Sequence, residues 1–300
     1  NAESDFLPGV VIDRYANILV AQFLKLGAEL HKERIVETLK ELFLENQSPI
    51  SNLQSPISIL ERSDVDVRKK EGLPETTGVL WGEEPPDKIE IVENGLRFWV
   101  DVKRGHKTGF YLDQRLNRQR ALPYLRGEVL NAFAYTGAFG VYAAKFNNAH
   151  IVNLDASVSS LELARENFAL NGVQANADYV VADAFQELRA YRTQGRTFDA
   201  IVLDPPKFVT SAANLERAAR GYKDLNMLAF QLLKPNGFLV TFSCSGLLDA
   251  KLFQQIVFGA SVDAKRDAQI VEKLGQSPDH PIGLHFPEGE YLKGLVVRVI

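Results

Sequence analysis

The lone cysteine of the 300-residue chain, Cys244, closes the apolar run in LVTFSCSG, where a thiol is either a nucleophile or a small buried hydrophobe. One cysteine cannot form an intramolecular disulfide or a multi-cysteine zinc site. Other apolar runs also end in residues able to hold a polar ligand. In NAFAYTGAFG, Gly137 and Gly140 stand where a strand turns into a helix. Such glycines let the backbone approach a ligand, and the amides at the start of a helix suit an anionic or polar group. HIVNLD ends in Asp155, 18 residues after Gly137. An acid about 20 residues past a glycine turn holds ribose hydroxyls in nucleoside-binding folds. ADYVVAD ends in Asp183, followed by Ala184 and Phe185, which suit the edge and face of an adenine. FDAIVLDPPKF ends in Asp204, whose direction Pro205 and Pro206 fix, and Phe208 beyond it can stack on a planar ring. Taken singly, each of these is also readable as a tight turn or a helix cap. Successive strand ends bearing nucleoside-friendly residues favour a cofactor pocket.

These residues need elements that bring them to one edge. From Val129 the pattern is strand, turn, helix, repeated: EVLNAFA, HIVNLDA, ADYVVAD, FDAIVLD and GFLVTFS read as strands, and GVYAAKF, SVSSLELARENFALN, AFQELRAYR and NLERAARGYKDLNMLAFQLL as helices. Ser157 can cap the second helix, and Asn171 with Gly172 can end it. Near-continuous apolar strands alternating with helices predict an α/β fold with a parallel sheet covered on both faces. In such sheets ligands bind beyond the carboxyl ends of the strands, which puts Cys244 beside Asp204. DAQIVEKLG and LKGLVVRVI add two further strands as an antiparallel edge. Before Val129 the sequence is mixed. GVVIDRYANILVAQF reads as a hairpin turning at Ala16 and Asn17, AELHKERIVETLKELFLEN as one helix with Leu30, Ile35, Leu39 and Phe43 on a face, and SPISILERSD as a strand. Residues 69–88 read as an exposed loop, and IEIVENGLRFWVDV as a hairpin about Asn94-Gly95. The predicted organisation is an α+β domain over residues 1–110 and a Rossmann-like domain over 111–300.

With 46% hydrophobic and 24% charged residues, the chain has the composition of a globular protein with a large core. A net charge of -4 argues against indiscriminate coating of nucleic acid, though not against a local basic patch. No apolar run is long enough to span a membrane, no signal peptide opens the chain, and one cysteine fits a cytoplasmic setting. The chain starts at Asn1 and enters strand-like sequence at once, so further sequence is expected upstream.

The order NAFAYTGAFG, LDAS, VADAF, LDPPKF and FSCSG resembles class I S-adenosylmethionine methyltransferases, and specifically the RlmI-like large-subunit ribosomal RNA cytosine-5 methyltransferases. LPGVVIDRY, TGFYLDQRLNR, SPDHP and FPEGEYLKG extend the likeness over essentially the whole chain. Such proteins usually begin with a PUA RNA-binding domain, which does not fit ahead of LPGVVIDRY here. The resemblance implies a Rossmann-like methyltransferase sheet, S-adenosylmethionine as cofactor, large-subunit ribosomal RNA as partner with a homodimer allowed for, and no metal. It also implies that Gln114, Arg115, Ala134, Tyr135, Thr136, Gly137, Asp155, Ala156, Ser157, Asn171, Asp183, Ala184, Phe185 and Asp204 bind cofactor. By the same likeness Pro205, Pro206, Lys207 and Phe208 bind substrate, and Cys244 and Asp204 are catalytic. The chemistry agrees: carbon 5 of a pyrimidine is a poor nucleophile, and a thiolate adding at carbon 6 makes it enamine-like.

Two other functions compete. An Asp-Pro-Pro followed by an aromatic also suits methylation of an exocyclic base amine, which needs no thiol. A noncatalytic RNA-binding module keeping the fold is the other. An NAD-linked dehydrogenase is disfavoured, because the full G-x-G-x-x-G is absent. In GHKTGFYLDQRLNRQR, Arg118 and Arg120 read equally well as a solvated helix face or as RNA-phosphate contacts. His106, His280 and His285 lack partners at metal-ligand spacing and read as structural or RNA-facing.

Overall fold

Alternating apolar residues fold the first stretch into a hairpin of β1 (Val10–Tyr15) and β2 (Ile18–Phe23), with Tyr15 opposite Ile18. Ala16 takes the positive φ of 51° that a tight hairpin turn requires. The structure, a computed structural model, describes residues 2–45, 58–209 and 211–300. The expected long helix is two, α1 (Leu26–Leu30) and α2 (Lys32–Glu45), separated at His31, where ψ opens to 8°. Ile35, Val36 and Leu39 pack with Leu19, Phe23 and Ile59, whereas Leu30 is exposed and off this stripe. β3 (Ser58–Ser63) lies parallel to β2. The start of its expected strand, residues 55–57, and the side chain of Phe43 lie outside the described residues. The segment 69–88, expected as a loop, instead carries β4 (Thr76–Gly82), antiparallel to β3. TTGVLWG is rich in strand formers, but its glycines and flanking proline masked an edge strand whose stability comes from pairing. β5 (Ile89–Glu93) and β6 (Leu96–Val100) form the expected hairpin, with Asn94 and Gly95 at φ of 50° and 81°.

These elements make one compact unit, residues 1–112 with 278–289; the other is 113–277 with 290–300. The segment 278–289, expected with the second domain, therefore clusters with the first.

The second unit begins with α3 (Arg115–Ala121) and β7 (Glu128–Ala132), followed by α4 (Ala138–Asn147), β8 (His150–Asp155) and α5 (Val158–Leu170). Next come β9 (Ala177–Val181), α6 (Ala184–Thr193), β10 (Phe198–Leu203), α7 (Leu215–Leu232) and β11 (Leu233–Ser243). α8 (Ala250–Asp263), β12 (Ala268–Gly275) and β13 (Lys293–Val299) complete it. α8 was not foreseen, although Asp249 caps it through Leu252 N–H at 2.7 Å and Phe253, Ile256, Val257 and Ala260 line one face. The sheet runs β12-β13-β11-β10-β7-β8-β9. β11, β10, β7, β8 and β9 pair in parallel. The last two strands form the expected antiparallel edge: β13 lies between β11 and β12, and β12 is outermost.

Strand residues alternate between faces. Val152 and Leu154 join Leu188, Tyr222, Leu225, Phe230 and Phe253 in the core under α6, α7 and α8. Ile151 and Asn153 face the other way, toward α4. A side chain at Gly140 would meet Ile151 Cγ2 at 2.8 Å, Phe168 Cζ at 2.9 Å and Asn153 Oδ1 at 3.0 Å. Gly140 therefore seats α4 on the sheet and does not open the backbone to a ligand, which corrects the sequence expectation. Gly140→Ala is expected to destabilise the chain by about 1–3 kcal/mol through overpacking. In contrast, Gly221→Ala, in the interior of α7 with Phe208 at an ordinary 3.6 Å, should stabilise it by about 0.5–1 kcal/mol. Urea titration of both variants checks the opposite signs.

Candidate active site

The five parallel strands end together, with Ala132 level with Leu154 and Leu203, Asp155 with Val181, and Leu203 with Thr241. The turn after β7 is held in an unusual backbone path. Phe133, Tyr135 and Gly137 all have positive φ (59°, 48° and 78°), which is uncommon for bulky aromatics and costs of order 1–3 kcal/mol at each non-glycine position. Ala134 N–H donates to Leu154 O at 3.0 Å, Gly137 N–H to Ala134 O at 2.8 Å, and Asn167 Nδ2 to Thr136 O at 3.0 Å. Asp155 supplies the tie across strands: Tyr135 N–H donates to Oδ2 at 2.8 Å and Ser157 N–H to Oδ1 at 2.9 Å. Gly137 caps α4 without a side chain, so the cap residue itself covers none of the first-turn amides. Thr136 is 2% exposed, and its Oγ1 has no hydrogen-bond partner among the described residues. A carboxylate with unused lone pairs, a helix start and a buried hydroxyl together suit a ligand with a diol and an anionic group.

Along the edge, Ser157 caps α5 through Ser160 N–H at 3.2 Å, and Ala156 is exposed. Asp183 is an exposed cap of α6, accepting from Gln186 N–H at 3.0 Å. Ala184 is buried in the core, while half-buried Phe185 has its ring 6.1 Å from that of Phe208. Asn171 meets the group at one remove: its Nδ2 donates to Asn167 O at 2.8 Å, and Asn167 holds Thr136 O. Asn171 ends α5, roughly 20 Å along the helix from Ser157 at 1.5 Å per residue, and its carbonyl accepts from Lys145 Nζ at 2.9 Å.

Asp204 follows β10 directly and receives Gln114 Nε2 at 3.0 Å. Gln114 is 2% exposed, and its Oε1 accepts from Asn117 Nδ2 at 2.6 Å, which fixes the amide orientation. The turn bearing Gln114 is itself pinned. Ser277 donates its N–H and hydroxyl to Asp113 O at 2.9 and 3.0 Å and receives Leu116 N–H at 3.0 Å, while Tyr291 Oη donates to Asp113 Oδ2 at 2.8 Å. Arg115 is half-buried. Pro205 is buried, Pro206 and Lys207 are exposed, and half-buried Phe208 packs 4.8 Å from Tyr222.

Cys244 stands one residue past β11, half-buried and outside any disulfide. Ser245 Oγ beside it meets Tyr222 Oη at 3.2 Å and Val209 N–H at 3.4 Å, and burial pushes the Tyr222 hydroxyl up. Lys293 is packed against the same corner, and desolvation pulls its ammonium down to about 8. Sequence reasoning assigned no role to Asn117, Ser277, Tyr291 or Lys293. For the last two the signal was present in FPEGEYLKG, but only tertiary pairing makes their neighbours visible.

Arg120 keeps its reading as an exposed residue of a helix face, whereas Arg118 does not. Arg118 is 2% exposed, so it is neither a solvated face nor a surface contact for phosphate. Arg120 pairs with Glu272 at 2.7 Å, Lys103 with Glu84 at 2.9 Å and Arg104 with Asp101 at 3.2 Å. In the first unit, Tyr15 Oη meets Thr108 Oγ1 at 2.7 Å and receives Phe110 N–H at 3.1 Å, fixing the path of GHKTGF. No group of three potential metal ligands occurs among the described residues, and no described helix is long and apolar enough to cross a membrane.

A sequence model of the S-adenosylmethionine-dependent methyltransferase family matches residues 61–292. The chain is 57% identical over 302 residues to ribosomal RNA large subunit methyltransferase I of Shewanella amazonensis, covering 99% of this chain and 73% of that protein. It is 56% identical over 300 residues to the protein of the same name from Aeromonas hydrophila, with the same coverage of 99% and 73%. Among solved structures, a putative SAM-dependent methyltransferase from Streptococcus mutans has a TM-score of 0.84 at 24% identity, covering 100% of this chain and 73% of that one. A putative methyltransferase complexed with SAH has a TM-score of 0.85 at 23% identity, covering 100% and 74%. Both share the fold.

Because Asp155 ties two turns, Asp155→Ala should lower stability by about 1–3 kcal/mol even without ligand, and Asp155→Asn by less. Thermal unfolding of the two variants measures this.

Proposed function

The chain belongs to the S-adenosylmethionine-dependent methyltransferases, and from that premise we propose that it methylates carbon 5 of a cytosine in large-subunit ribosomal RNA through Cys244. The RNA class follows the name its relatives carry. The carbon-5 target follows the observation that carries the proposal: a half-buried thiol and a carboxylate at the ends of neighbouring strands. Asp204 lies one residue past the Leu203–Thr241 pair and Cys244 three residues past it, on strands about 4.8 Å apart. Methylation of an exocyclic amine gives that thiol no task.

When bound, S-adenosylmethionine supplies an electrophilic methyl group on a sulfonium. The residues present fit it: Asp155 has acceptor sites for a ribose diol, the first turn of α4 has amides for the methionine carboxylate, and the Thr136 hydroxyl is buried without a partner among the described residues. Tyr135 and Gly137 shape the cradle, with Ala134, Ala156, Ser157, Asp183 and Phe185 along its rim. Gln114 orients Asp204, and Arg115 follows it in the chain as the next candidate for the cofactor. Asp204 would hold the N3 and amino edge of a flipped cytosine, flanked by Pro205, Pro206, Lys207 and Phe208.

Cys244 acts as thiolate. Its sulfur lone pair forms a bond to carbon 6, and the carbon 5–carbon 6 π pair moves to make carbon 5 nucleophilic. After methylation, loss of the carbon-5 proton re-forms the double bond, the carbon 6–sulfur bond breaks, and the thiolate returns. A hydrogen on carbon 5 is thereby exchanged for methyl, with one proton released.

The first unit, with its own core around Leu19, Phe23 and Ile59, is proposed to contribute RNA binding. Its separate fold supports this, while within the basic run Arg118 is buried and Arg120 is paired with Glu272. Ultraviolet crosslinking to unmodified large-subunit RNA should yield peptides from this unit; crosslinks confined to the second unit would refute that part.

The decisive variant is Cys244→Ala. Thermal stability and S-adenosylmethionine affinity by calorimetry should be nearly unchanged, while methyl transfer to the RNA falls below detection. Substantial turnover by the folded variant sinks covalent catalysis and favours an amine target. Absence of cofactor binding by the wild-type chain would instead point to a noncatalytic RNA-binding module.

A further inference from the structure

Lys293 opens β13 opposite Ser243, the last residue of β11. It is 5% exposed, an unusual setting for a lysine. Its side chain reaches past the strand end, where Nζ donates to Ser245 O at 2.6 Å and to Tyr291 O at 2.8 Å. Cys244 is thus bracketed: the residue before it is the ladder partner of Lys293, and the residue after it accepts a hydrogen bond from Nζ. An ammonium has three N–H groups, and two are used on these carbonyls, leaving one for another acceptor.

The charged groups around this ammonium are Cys244, Glu290 and Asp249, which favour its proton, and Lys207, which opposes it. Glu290, Asp249 and Lys207 are exposed and screened by water, whereas Cys244 is half-buried. Tyr222, the other titratable group at the corner, is hydrogen-bonded to Ser245 and carries no positive charge. Lys293 is the buried cation of this corner.

We propose that Lys293 is a positioning residue whose ammonium is the counter-ion that holds the Cys244 sulfur as thiolate, ready for addition and again at release. The inference rests on reading Cys244 as the nucleophile. A cation beside a thiol favours its ionised form, and more strongly where water is partly excluded. The thiol proton passes to solvent and Lys293 keeps its own protons, so the lysine is unchanged over a cycle. When the carbon 6–sulfur bond breaks, the electron pair returns to a sulfur that already faces a positive charge. A merely structural lysine, tying two carbonyls together, would leave a half-buried thiol no easier to ionise than in an unfolded chain, because burial alone raises it.

Because the chain has one cysteine, its ionisation is measurable directly as the pH dependence of alkylation by iodoacetamide. In the native wild-type chain the half-maximal rate should fall at a lower pH than in the same chain unfolded in urea. Lys293→Met should slow alkylation at neutral pH by about tenfold or more, the effect of one pKa unit, and move the half-maximal pH upward. Lys293→Arg, which keeps the charge, should retain the low value. A native profile matching or lying above the urea profile overturns the proposal, as does a folded Lys293→Met variant with the wild-type profile. The wild-type comparison decides alone if Lys293→Met does not fold. Methyl transfer by Cys244→Ala tests the nucleophile separately. Turnover there together with the expected alkylation profiles would refute covalent catalysis while leaving the ion pair standing.

Discussion

In the seven-stranded sheet, Leu203 pairs with Ala132 on one side and Thr241 on the other, and this register decides which loops can meet. Backbone hydrogen bonds in a parallel ladder fix every strand end relative to its neighbours, so the loops after β7, β8, β10 and β11 emerge along one edge. A slip of one residue would turn each strand's apolar set to the wrong face, since Val152 and Leu154 pack under one layer of helices and Ile151 under the other. The core therefore enforces the register, and the register assembles the site. Gly140 belongs to this constraint, because the closeness of α4 to Ile151 and Phe168 sets where the glycine turn stands.

On that edge, two kinds of rigidity meet. The turn after β7 stores backbone strain at Phe133 and Tyr135, and Asp155 holds it in place by accepting Tyr135 N–H while bonding Ser157 N–H with its other oxygen. One carboxylate thus shapes the cradle and remains chemically able to serve a ligand. The Asp204 side is rigid through polar packing instead. Asn117 orients Gln114, Gln114 holds Asp204, and Ser277 with Tyr291 clamps the turn from segments more than 150 residues away. The Cys244 corner is clamped likewise by Tyr222, Ser243, Ser245 and Lys293. Burying Lys293 is unfavourable for its charged form, and the carbonyls of Ser245 and Tyr291 offset part of that cost.

The sequence by itself determined the repeated strand-helix pattern, the two hairpins, the caps at Ser157 and Asn171, and the carboxylates and thiol that end the strands. These are local matters: side-chain periodicity, turn chemistry and capping act within a few residues and are written in one stretch of chain. It also carried the resemblance that its relatives bear out. Where long-range pairing competes with local signals, it read less. TTGVLWG becomes a strand only because β3 supplies a partner, and the helix of residues 28–46 breaks at His31 despite its apolar spacing. Only the tertiary structure decided that Gly140 packs inward, that Asn171 is tied through Asn167 to the glycine turn, that Arg118 is buried, and that Lys293 reaches the carbonyl next to Cys244. Each depends on which atoms distant segments bring within a few ångströms, and burial and charge pairing are properties of that surrounding shell rather than of the residue's own neighbours in the chain.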